Sequence, residues 1–117
     1  MLMGGYFVDS FTLKRIRTLL EGYIGLKVPA ELRGEVRLTY QIRETTITLS
    51  EERPDWTQRA WNATEFVQFR LEDHEWRVYG KPDGDEWASL STIAPSRNFE
   101  EVLEQVEMDT HEVIWVT

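Results

Sequence analysis

The 117-residue sequence contains no cysteine. Disulfides, thiolate metal sites and thiol nucleophiles are excluded, and a reducing compartment fits. Histidine is nearly as scarce, occurring only at His74 and His111. A metal centre needs three or four converging ligands. His74 lies among Glu72, Asp73 and Glu75 in what reads as a solvated turn, and His111 follows a helix, where a dipole partner is the simpler role. No metal site and no cofactor is expected. No Gly-rich phosphate loop, dinucleotide fingerprint or serine-nucleophile motif is present, so no catalytic residue is assigned. KPDGDE lacks the spaced ligands of a calcium loop. No apolar run approaches the roughly 20 residues of a membrane span. The opening MLMGGYFV has no basic leader or cleavage site and does not read as a signal peptide. The expected location is cytoplasmic, without a membrane partner.

Positive charge is also in short supply. Thirteen Lys/Arg against 21 Asp/Glu leave a net charge of -8, a field that repels phosphate. The imbalance is uneven: residues 1–36 sum to +1, whereas residues 98–117 hold six acids and no Lys or Arg. A broad nucleic-acid surface is therefore not expected. Apolar content of 41% and charged content of 29% are those of a globular domain, and the length suits one domain, residues 1–117.

What is present is strong periodicity. Asp9 or Ser10 caps a helix over 10–24 in which Leu13, Ile16, Leu20 and Tyr23 recur at helical spacing, with Gly22 and Gly25 as stop signals. Pro29 opens a short helical turn, PAEL. From Val36 the period becomes two: Leu38, Tyr40 and Ile42, then Ile47 and Leu49, predict a hairpin with one wet face, pairing Ile42 with Ile47 and Tyr40 with Leu49. Pro54 is expected to end that pairing, leaving 55–63 as a connection. A second hairpin turning at Asp73-His74 sets Leu71 opposite Trp76, Phe69 opposite Val78 and Arg70 opposite Arg77. Residues 86–92 read as a fifth strand. Asn98 and Glu101 form a capping-box pattern before the stripe Phe99, Val102, Leu103, Val106. Val113 to Val116 reads as a final buried strand. Trp76 and Trp115 are expected in the core.

Two constellations could carry function. Alternation places Glu51 and Arg53 on the inner face at the end of a strand. A carboxylate and a guanidinium there must pair or stay wet, since burying either alone is costly. They form either a rim ion pair or a polar site in a cleft roofed by Trp56 or Trp61. Adding Asp55 gives the enzymatic alternative, a small hydrolase. A metal-nuclease reading of Pro54-Asp55 and Glu65 lacks the lysine it requires. The second constellation is Arg70, Arg77 and Tyr79, with Phe66 beside them. It is either an anion or acidic-partner site, or a cross-strand lattice relieved by Glu72 and Glu75.

The element order, together with Glu51, Arg53, Pro54 and Trp56 in an E-x-R-P-x-W pattern, resembles a small bacterial family catalogued as domain of unknown function 3024. The segments VPAELRGEVRLTY (28–40), WRVY (76–79), Trp87, the helix NFEEVLEQVEMD (98–109) and IWV (114–116) carry the resemblance along the chain. A glycine that usually follows the last aromatic strand is missing here. The resemblance implies no activity.

The expected architecture is α+β: one curved, mainly antiparallel sheet of five or six strands with an N-terminal and a C-terminal helix on one face. The expected function is a non-catalytic binding or protein-interaction module using the rim from Glu51 to Trp61. Its partner is a protein or a small ligand, and the sequence is also compatible with a homo-oligomer.

Overall fold

The computed structural model describes residues 9–82 and 84–108. Helix α1 spans Ser10–Lys27, capped by Asp9, whose Oδ1 accepts the Thr12 N–H at 2.8 Å. The helix passes through both Gly22 and Gly25 rather than stopping at 24. Its true terminator is Pro29, which forces Val28 out of helical geometry to φ -119°, ψ 96°. A 3-10 turn, Ala30–Leu32, follows where PAEL was read as a helical turn.

Strands β1 (Arg37–Arg43), β2 (Thr46–Asp55), β3 (Ala60–Glu72), β4 (Glu75–Gly80) and β5 (Ala88–Ser89) form one antiparallel sheet in the order β1-β2-β3-β4-β5. The expected registers hold: Ile42 pairs with Ile47, Tyr40 with Leu49, Leu71 with Trp76 and Arg70 with Arg77. At the β3–β4 turn Asp73 and His74 both take positive φ, 52° and 66°, as a tight two-residue hairpin requires.

Three expectations about the strands change. Pro54 does not end β2, which runs to Asp55 with Pro54 opposite Trp61. β1 begins at Arg37, opposite Glu52, so past that point β2 has no partner on its β1 side among the described residues, a position that tolerates proline. The connection expected over 55–63 shrinks to the turn 56–59. The fifth strand is only two residues long. Leu90 donates its N–H to the Val78 carbonyl and packs over Gly80, and the chain then turns so that Ser96 exchanges backbone bonds with Trp76.

Helix α2 spans Phe99–Met108. Its capping is rearranged from the expected box: Asn98 Oδ1 accepts the Glu100 N–H at 3.0 Å, while the Glu101 carboxylate takes the Ser96 hydroxyl instead of the Asn98 amide. The expected last strand and Trp115 lie outside the described residues.

The core forms where both helical stripes meet the inner sheet face. Ile16, Leu20 and Tyr23 of α1 and Phe99, Val102, Leu103 and Val106 of α2 join Ile47, Leu49, Val67, Phe69, Trp76 and Val78 in one cluster. Phe99 stands edge-on to Phe69 and Trp76, with centroids at 5.0 and 5.2 Å. Such T-shaped contacts add to the burial of large rings. Among the described residues, no helix is long and apolar enough to cross a membrane.

Candidate functional site

β4 ends at Gly80, opposite Val67, and β1 begins opposite Glu52. Among the described residues, the far ends of β2 and β3 therefore pair only with each other, and they form a two-stranded arm on a molecule 48 Å long and 29 × 24 Å across. A β-bulge re-aims the strands at the base of the arm. The register jumps from Leu49–Val67 to Ser50–Glu65, leaving Phe66 as the extra residue on β3.

Glu51 lies opposite Leu38 and so shares the inner face by register, as expected. The site differs from the expectation in burial. Arg53 Nε donates to Glu51 Oε1 at 2.8 Å, and the two side chains are 63% and 37% exposed. The pair is a wet ion pair at the sheet rim. The hydrogen bond and charge of Glu51 raise the Arg53 pKa.

Asp55 is committed to the arm's turn. Its Oδ1 accepts the Thr57 and Gln58 N–H groups at 3.0 and 3.2 Å, and its Oδ2 accepts from Asn62 Nδ2 at 3.3 Å. Backbone donation from Gln58, followed by the Asn62 amide and the Thr57 contacts, holds this carboxyl below its ordinary value. The notch beside it is lined by Pro54, Trp56, Arg59 and Trp61, and by neither Glu51 nor Arg53. The convergence that the hydrolase alternative needs is not met by these three residues.

The tryptophans have different fates. Trp56, at the start of the turn, is 80% exposed. Trp61 lies opposite Pro54, and its ring is covered by the Arg37 guanidinium at 3.5 Å from the centroid. Arg59 holds the turn in a left-handed conformation, φ 55°.

On the outer sheet face, Arg70, Arg77 and Tyr79 are brought together but satisfied internally. Arg70 stacks on Tyr79 at 3.9 Å and donates to Gln68 at 2.8 Å. Arg77 lies 3.8 Å from both Glu72 and Glu75. The Tyr79 hydroxyl donates to Glu72 at 2.7 Å, which together with burial raises its pKa. This is the cross-strand lattice: Arg77 is paired with carboxylates, and Arg70 is held by Gln68 and the Tyr79 ring. Phe66 packs against the core cluster from the bulge. Among the described residues, no three His, Asp or Glu are placed to hold a metal ion.

The sequence reading missed a groove between α1 and β1, over Ile24, Val28 and Leu38. Of the two glycines inside the α1 pattern, Gly25 lines this groove and Gly22 does not.

A sequence profile described as Domain of unknown function (DUF3024) matches residues 8–116. The chain belongs to this family. No curated protein and no solved structure matches it. In this DUF3024 chain the E-x-R-P-x-W residues have separable structural roles. Glu51 and Arg53 pair across one face, Pro54 lies where β1 no longer flanks β2, and Trp56 is displayed at the tip.

Proposed function

We propose that this DUF3024 domain is a non-catalytic protein-interaction module that engages its partner through the tip of the β2–β3 arm. The exposure of Trp56 carries the reading: a ring 80% open to solvent stands on a turn fixed by three hydrogen bonds to Asp55. Displaying a large indole gives the isolated domain nothing, whereas burying it in a partner removes about 150–250 Å² from water. Tryptophan is enriched among interface hot spots, where truncation costs about 2 kcal/mol or more. The fitting partner offers an apolar pocket with a carboxylate beside it, because Arg59 sits on the same turn and forms no ion pair among the described residues.

The test is affinity capture with the full chain and Trp56→Ala, alongside circular dichroism and thermal melting. Loss of captured protein with an unchanged melting curve supports the arm. Capture that is identical for wild type, Trp56→Ala and Trp61→Ala, with all three folded, removes it. Light scattering of the same samples shows whether the captured partner is a second copy of the chain.

A further inference from the structure

A second concavity lies away from the arm. It is a groove of about 530 Å³ between the C-terminal half of α1 and the edge strand β1. Ile24, Val28 and Leu38 give it an apolar floor, and Arg33 and Arg37 stand at its rim. One wall is closed by the Tyr40 hydroxyl, which donates to Glu21 at 2.8 Å and so engages the carboxylate lining the groove. Arg37 is occupied by the Trp61 ring and lies 3.8 Å from Glu52. Arg33, exposed at the end of the 3-10 turn, forms no ion pair among the described residues.

Gly25 lines the groove beside Ile24 and Val28. A glycine inside a helix costs about 1 kcal/mol relative to alanine. The usual reason to tolerate that cost is a neighbour too close for a Cβ. At Gly25 no described atom beyond its chain neighbours and its own helix backbone lies within 4 Å of where a Cβ would stand, and its φ is not left-handed. The glycine answers no packing or backbone demand among the described residues. As a lining residue without a side chain it leaves its part of the groove wall open, and a large side chain there would take up groove space.

We propose that this groove binds a small amphipathic carboxylate, its short apolar chain or single ring over Ile24, Val28 and Leu38 and its anionic head on Arg33. Apolar floor and cationic rim match the two ends of such a molecule, and the volume falls in the range of small-molecule sites, about 300–1,000 Å³. A second copy fits less well. Edge-to-edge antiparallel pairing centred on Tyr40 would set Arg37 of one copy opposite Arg43 of the other at both ends, a like-charge juxtaposition.

The experiment is calorimetric titration of the full chain with hexanoate, heptanoate and octanoate at fixed ionic strength. Affinity should rise roughly fourfold per methylene if each CH₂ leaves water for the apolar floor. Arg33→Gln should weaken octanoate about tenfold or more while leaving 1-octanol unaffected. Gly25→Leu should abolish binding of both without lowering the melting temperature, and Gly22→Ala, outside the groove, should change neither. Trp56→Ala should bind octanoate normally. Affinity independent of chain length, octanoate binding by Gly25→Leu at wild-type strength, or equal binding by Arg33→Gln each overturns the proposal. So does a Gly25→Leu variant that changes only oligomeric mass or protein capture, since the groove then serves a protein surface.

Discussion

Asp9 and Asp55 do the same work at two places: each carboxylate holds backbone N–H groups that would otherwise be unsatisfied, at the start of α1 and in the arm's turn. Both carboxyls lie below their ordinary value of 3.8, Asp9 through the Thr12 amide and hydroxyl, Asp55 through Gln58 first and then Asn62 and Thr57. A carboxyl with a depressed folded-state pKa binds protons more readily when the chain unfolds. Its contribution is complete above the ordinary value and is lost as pH falls through the lower folded one. The double variant Asp9→Asn, Asp55→Asn should therefore lose less stability than the parent between about pH 6 and about pH 3, read from urea midpoints. An equal loss would assign the acid sensitivity to other carboxylates. In the core, Phe69 is fully buried against Phe99, and Phe69→Ala should cost about 3–5 kcal/mol in urea denaturation. A loss under about 1 kcal/mol would mean that the surrounding cluster collapses into the gap.

Helix α1 carries two interior glycines with open space around them. Gly22→Ala should stabilise the domain by about 0.5–1 kcal/mol, through the unfolded chain as much as the helix. Destabilisation would reveal a neighbour at that face. The helix is anchored to α2 by Arg15–Glu100 at 2.9 Å and Lys27–Glu107 at 3.5 Å, but surface pairs of this kind each contribute at most about 1 kcal/mol. The apolar stripe Ile16, Leu20, Tyr23 is what holds α1 to the sheet. β2 changes role along its length. Its first half lies between β1 and β3 under the helices, and its last residues form one side of the arm.

At the scale of the molecule, a helix-covered sheet and the arm share the same two strands. Two-stranded ribbons are marginal without a packed face, so the arm should open without the core. Amide exchange at Ala60–Asn62 is expected to be much faster than at Val67–Phe69, and Trp56→Ala should leave the slow set unchanged. Uniform protection along β3 would show instead that arm and core unfold as one unit. The groove beside α1 differs from the arm, since its floor residues Val28 and Leu38 are buried.

Local pattern settled much of this architecture in the sequence itself. Period-two alternation fixed which side chains of both hairpins face inward, and a one-residue slip would have turned every apolar residue to water. Helical spacing fixed the stripes of α1 and α2, and Glu51 and Arg53 were legible as a same-face pair because a strand's parity needs no partner to define it. Burial was not legible, because it depends on what lies across the face. The strand kept its parity, but the helices do not reach the rim, and so the pair became a solvated bridge. The passage of β2 through Pro54 depended on where β1 begins, and the exposure of Trp56 depended on where β4 stops. Gly25 reads as a helix breaker along the chain and as an open wall only once β1 lies beside it. Sequence determined the faces, and the tertiary structure decided which of them are covered, because coverage is a relation between elements distant in the chain.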